Sequence, residues 1–154
     1  MDCPLCSKPS KPGEVQLFTN SQFGPSPFGA PPGSAIASLL PAPIGAKWLV
    51  VDYAIVSSEV PGGWLGTRFN DYFEISIDCG PQGPPNPIPA YVATSGSINE
   101  LGPNAFDSKG ATYCYRLSME IEKVKGKTCQ VGISVADAID HDLHTAVCAK
   151  AYYV

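Results

Sequence analysis

From Ile36 onward the chain is a succession of short apolar or alternating stretches punctuated by Gly and Pro. "KWLVVDYAIV" is almost continuously apolar and rich in β-branched and aromatic residues, which predicts a central strand buried on both faces. "NDYFEISIDC" alternates cleanly, with Phe73, Ile75 and Ile77 on one face and Tyr72, Glu74, Ser76 and Asp78 on the other. "TYCYRLSMEIEKV" turns Tyr113, Tyr115, Leu117, Met119 and Ile121 inward. "TCQVGISVADA" puts Val131, Ile133 and Val135 on one side. "IPAYVAT" adds a short strand and "HTAVCAKAYYV" ends the series. No window holds a 3.6-residue period over about ten positions, as a helix would require. Short strands at this spacing, joined by Gly/Pro turns, predict an all-β fold, an antiparallel β-sandwich of jelly-roll type.

Residues 1–35 read differently. "SKPSKPGEV" and "FGPSPFGAPPGS" are Pro, Gly and Ser rich, and one strand candidate, "EVQLFT", interrupts them. Phe18, Phe23 and Phe28 are too apolar for a solvated linker, so this arm is expected to lie against the body or a partner. The expected organisation is an N-terminal arm over 1–35 and a β-sandwich domain over 36–154. Such an arm could complete a neighbouring sandwich by strand addition, giving self-association.

Composition narrows the function classes. At 154 residues the chain is one domain by length, able to bury ~70% of its unfolded surface. A net charge of -4 with 10 Lys+Arg argues against nucleic acid, whose phosphates call for clustered cations. No apolar run approaches the ~20 residues of a transmembrane helix. The opening "MDCPLCSKPS" lacks the hydrophobic segment of a secretory signal.

Six cysteines, at 3, 6, 79, 114, 129 and 148, favour disulfides and an oxidising compartment in so turn-rich a chain. "CPLC" has a zinc-like spacing, but no second CxxC or HxxxH supplies the remaining ligands. A thioredoxin-like motif would need a βαβ context that is absent around Cys3 and Cys6. Cys129 and Cys148 lie symmetrically about the loop "DAIDHDL". In a regular hairpin they would stand opposite each other, close enough to bond. Cys79–Cys114 and Cys3–Cys6 then follow by elimination.

Two loops carry the candidate chemistry. "SSEVPGGWLGTRFNDYF" holds Glu59, Asn70 and Asp71; "VADAIDHDLHTA" holds Asp137, Asp140, Asp142, His141 and His144. Asp and Asn are ordinary turn residues, and each loop alone reads as turn chemistry. Together they place carboxylate and amide oxygens at strand ends, the ligand type that Ca²⁺ takes six to eight of. Trp64 at the loop tip could stack on a sugar or simply shield the sandwich end. No nucleophile motif such as G-x-S-x-G is present, and tight Gly/Pro loops leave little room for a glycosidase groove, so no enzyme is expected.

"DYAIVSSEVPGGWLGTRFNDYFEISI" resembles the signature of bacterial extracellular domains of the choice-of-anchor L family: F-x-Y-x-F-x-S-E-E-Y-P, a Gly-containing loop, then F/Y-N-D-x-F and an apolar strand. "AFDSKGATYCYRLSMEI" and "ADAIDHDLHTAVCA" resemble that family's later blocks, in the same order, so that the likeness runs from about Lys47 to the C-terminus. The resemblance implies a secreted or surface β-sandwich with a calcium site between these loops. By position, Glu59, Asn70, Asp71, Asp137 and Asp140 would be its ligands. Ser58, Val60, Ile139 and His144 depart from the pattern, and two of these changes remove a carboxylate that would tighten calcium.

The expected function is therefore a non-enzymatic, secreted or cell-surface structural protein, a subunit of a filament or surface layer. The alternative is a calcium-dependent adhesion module or one that binds a surface glycan.

Overall fold

Alternation along the chain becomes inside and outside of two facing sheets. The computed structural model describes residues 14–20, 33–39, 41–57, 61, 63, 66, 71–81, 89–112, 114–120, 129–136 and 145–154. Eight strands run in chain order: β1 (Val15–Asn20), β2 (Gly33–Leu39), β3 (Trp48–Ser57), β4 (Tyr72–Pro81), β5 (Pro89–Ser97), β6 (Tyr115–Glu120), β7 (Cys129–Ala136) and β8 (Thr145–Tyr153). They form two four-stranded sheets, ordered β1-β8-β3-β6 and β2-β7-β4-β5. Every neighbouring pair is antiparallel. The pairing is nested: first strand with last, second with seventh, third with sixth, fourth with fifth. That order is the double Greek key of a jelly roll, as the strand pattern predicts.

Burial follows the sequence pattern closely. On β4, Phe73, Ile75 and Ile77 are buried while Glu74 and Asp78 are exposed. β7 turns Cys129, Val131, Ile133 and Val135 inward, and β6 turns Met119 inward with Tyr115 and Leu117 packed beside it. β3, the run predicted to be central, lies between β8 and β6 and is buried on both faces over much of its length. Leu17, Leu49, Val51, Ile55, Val147, Ala149 and Ala151 complete the core from the other sheet. Each large aliphatic side chain so buried contributes about 1.5–3 kcal/mol.

The strand expected within the arm forms, and a second begins in the last three residues of that segment and continues into the body. β1 pairs along β8 from Val15↔Ala151 to Asn20↔Ala146, with Leu17 buried in the core. β2 opens at Gly33 and pairs with β7. Between β5 and β6 the chain makes one helical turn, α1 (Ile98–Leu101), capped by the Ser97 hydroxyl, which accepts from Glu100 N at 3.3 Å.

The cysteine expectation needs correction at its premise. β7 and β8 do not form a hairpin: β7 lies between β2 and β4, and β8 between β1 and β3 in the opposite sheet. Cys129 faces the core, whereas Cys148 is buried beside Ala54 on the reverse face of its own sheet. The two are therefore not cross-strand partners. Symmetry about a loop implies opposition only when both flanks belong to one sheet, and here the connection crosses between sheets. Cys114, Cys129 and Cys148 are each disulfide-bonded. Cys3, Cys6 and the Cys79 side chain lie outside the described residues.

Ile75 and Ile133 are paired in register and both are buried in the core. Replacing either with Ala is expected to lower unfolding free energy by about 2–5 kcal/mol in denaturant titrations. Glu74→Ala on the exposed face of the same strand should change it by less than about 0.5 kcal/mol. The double Ile variant should be non-additive because the two sites are in contact.

Candidate functional site

β3 ends and β8 begins at one end of the sandwich, where Ser57 and Thr145 are register partners. Asp71, immediately before β4, joins them. Ser57, Asp71 and Thr145 are all buried, at 0%, 1% and 0% exposure. Thr145 Oγ1 lies 2.8 Å from Ser57 Oγ and 2.5 Å from Asp71 Oδ2. A hydroxyl has one proton and a carboxylate only accepts. Thr145 therefore donates to Asp71 and in turn accepts from Ser57. The 2.5 Å separation is that of a charge-assisted O–H···O bond.

Neighbouring connections are stitched to this junction. The Asp71 carbonyl accepts from Ile98 N at 3.0 Å, fastening the start of β4 to α1. Gly66 N donates to Asn99 Oδ1 at 2.7 Å, tying the β3–β4 connection to the same helix. On the other side a turn over 107–111 closes on Asp107, whose Oδ1 accepts from Lys109 N at 2.9 Å and Ala111 N at 3.0 Å. Those two backbone donors hold the Asp107 carboxyl below its ordinary pKa. Ser57 N donates to the Gly110 carbonyl at 2.9 Å, and Ile55 N donates to Thr112 Oγ1 at 2.9 Å. The six buried polar residues among those described, Thr19, Ser57, Asp71, Ser97, Thr112 and Thr145, all sit toward this end, Thr19 as the register partner of Val147 two residues beyond Thr145. The core is apolar along its length and polar where these connections meet.

Asp71 is thus the one predicted cation ligand whose position is described. Glu59, Asn70, Asp137 and Asp140 lie outside the described residues, as does Trp64. The residues that bound the two acidic loops are nevertheless in direct contact through Thr145 and Asp71. Among the described residues, no three His, Cys, Asp or Glu gather as a metal-binding group.

A second polar constellation, which sequence reasoning passed over, lies on the outer face of the β1-β8-β3-β6 sheet. Arg116 donates from Nε to Asp52 Oδ1 at 2.8 Å and from Nη2 to Asp52 Oδ2 at 3.3 Å, a two-pronged contact. Tyr152 donates its hydroxyl to Asp52 Oδ2 at 2.6 Å and accepts from Arg116 Nη2 at 3.1 Å. Burial first, then the hydrogen bond to Asp52, pushes the Tyr152 phenol up to about 12. One signal was available: Asp52 is the lone charge inside the apolar run of β3, and a carboxylate there needs a partner on a neighbouring strand.

No protein-family model matches this chain. No curated protein matches it. Among solved structures it is similar to a chain in the structure of the infectious bursal disease virus Gx strain, with a TM-score of 0.31 and 7% identity. The alignment covers 91% of this chain and 30% of that one.

Two measurements follow from this geometry. At Gly110, φ is +85° and a Cβ would stand 2.1 Å from the Ser57 carbonyl oxygen, whereas at Gly45, φ is +92° and the space around a Cβ is open. Gly45→Ala should cost only the left-handed strain of about 1–2 kcal/mol. Gly110→Ala should cost distinctly more in the same unfolding assay, on the order of 3 kcal/mol, because the backbone at Ser57 must also shift. The Tyr152 phenol should titrate near 12, read as the absorbance step removed by Tyr152→Phe, and Asp52→Asn should bring it down toward the ordinary 10.0. Its folded pKa is raised, so its contribution to stability is complete below pH 10.0 and is lost as pH rises from there through about 12.

Proposed function

We propose that this chain is a non-enzymatic, secreted or cell-surface structural protein, a subunit of an extracellular filament or layer, with Ca²⁺ held between its two acidic loops. The observation that carries this reading is the Ser57–Thr145–Asp71 junction, which gives both loops one common, rigid footing. A site built from two loops is useful only if their bases are fixed relative to each other. The donors at that footing are a carboxylate and two hydroxyls, the oxygen chemistry a hard cation takes. Asp71 would hold the ion from below, with Glu59, Asn70, Asp137 and Asp140 supplied by the loops as in choice-of-anchor L domains, which the sequence resembles. The bound disulfides at Cys114, Cys129 and Cys148 support an oxidising compartment. Jelly rolls serve capsid and lectin domains alike, so the fold agrees with a role in assembly by analogy alone.

β1 supports the assembly part of the reading. It is an edge strand, held to the body along β8 by backbone pairing. The same ladder can be offered to a neighbouring copy's β8 by exchange of the arm.

Calcium added to about 100 times its dissociation constant should stabilise the protein by about 2.7 kcal/mol, raising the melting temperature by about 5–10 °C, and excess EDTA should reverse it. Asp71→Asn should remove most of the calcium response. Sedimentation velocity over a concentration series should show species larger than a monomer. No calcium-dependent shift would sink the cation site, and a monomer at every concentration, with and without calcium, would sink the assembly role.

A further inference from the structure

The outer face of the β1-β8-β3-β6 sheet is a grid of rows fixed by strand register. One row runs Gln16, Lys150, Asp52, Arg116. The next holds Tyr152, Val50 and Ser118. In the third, Trp48 faces Glu120 on one side and exchanges backbone hydrogen bonds with Val154 on the other, at 2.9 Å each way. Trp48 is 40% exposed, and Tyr152 is its diagonal neighbour, two residues before Val154. Diagonal pairs on a sheet lie within reach of aromatic side chains. Val50, between the rows, is only 3% exposed. From Trp48 to Asp52 the strip extends about 13 Å along β3.

We propose that this strip is a binding platform for a neutral carbohydrate chain. Sugar rings present an apolar C–H face and, around their edge, hydroxyls that both donate and accept. Trp48 and Tyr152 offer ring surface to the first. Arg116, Ser118 and Glu120 offer donors and acceptors to the second. The guanidinium is already fixed: Asp52 and Tyr152 occupy Nε and Nη2, leaving the two Nη1 hydrogens unused by these contacts. Its side chain is 63% exposed in that fixed pose. A donor held in place before binding loses little side-chain entropy on forming its bonds.

Charge selects the ligand class. Lys150 and Arg116 are offset on and beside the strip by Asp52, by Glu120, and by Glu14, whose charge is felt at Tyr152. A surface with both signs interleaved and no strong excess suits an uncharged polyol better than a polyanion or a phosphate. The platform is separate from the acidic loop end: Trp48 begins β3, whereas Ser57 of the loop junction ends it. It therefore needs no calcium.

The full chain is titrated calorimetrically with cellohexaose, xylohexaose, mannohexaose and maltohexaose, each with and without excess EDTA. At least one should bind with a dissociation constant at or below about 1 mM, a level worth about 4 kcal/mol, and EDTA should leave it unchanged. Trp48→Ala and Arg116→Ala should each weaken binding at least about tenfold. Ser118→Arg, an exposed substitution that fills the strip without removing any of its contacts, should abolish it. Glu74→Gln, on the opposite sheet, should bind as the parent does. Absence of binding by all four sugars at about 1 mM would overturn the platform. So would binding that EDTA removes, binding indifferent to Trp48→Ala and Ser118→Arg, or a salt-sensitive preference for polygalacturonate over every neutral sugar.

Discussion

The structure rests on nested antiparallel pairing. Strand pairs β4–β5, β3–β6, β2–β7 and β1–β8 enclose one another like the turns of a rolled ribbon. Each successive pair must close a longer loop, and loop-closure entropy grows with length, though slowly. What compensates is burial: each pair that forms puts another row of Ile, Val, Leu or Phe between the sheets. The innermost pair, β4–β5, has the shortest connection, and β4 carries the core residues Phe73, Ile75 and Ile77. The outermost, β1–β8, joins residues at opposite ends of the chain. Contacts so non-local make for slow folding, as in other Greek-key β proteins.

The same constraint places the polar chemistry. The β3–β4 and β7–β8 connections both pass from one sheet to the other, and both do so at the same end. The β5–β6 connection meets them there through α1 and the 107–111 turn. Crossing segments cannot continue a ladder, so their backbone groups must be satisfied by side chains and turns. Ser57, Asp71, Ser97, Thr112 and Thr145 are buried at this end. A buried carboxylate is tolerated there because Thr145 supplies a donor at 2.5 Å.

How much of this was legible in the sequence depends on whether the signal was local. Period-two alternation in "NDYFEISIDC" and "TCQVGISVADA" fixes the inward face of β4 and β7 without reference to any other strand, and the apolar run from Trp48 marks a central strand for the same reason. Pairing is not local. Cys129 and Cys148 satisfy every spacing condition for a hairpin, yet the chain crosses to the other sheet between them. Asp52, Arg116 and Tyr152 come together over sequence separations of 64 and 100 residues, which no pattern within one strand encodes. Asp71 was visible as a candidate ligand, but its hydroxyl partner Thr145, the register partner of Ser57, became visible only in the fold.

The two polar constellations solve one electrostatic problem in different ways. Asp71 is buried and accepts from the Thr145 hydroxyl, which is itself bonded to Ser57. Asp52 lies partly open on a flat sheet and meets a guanidinium and a phenol, so its charge is offset where it stands. An exposed ion pair of this kind adds little stability by itself, because water and salt compete for both partners. Its greater consequence is geometric: it holds Arg116 and Tyr152 in one orientation across three strands, on the same surface as Trp48. The two constellations are separated along β3, with Asp52 at mid-strand and Ser57, which bonds the Asp71 partner Thr145, at its last residue.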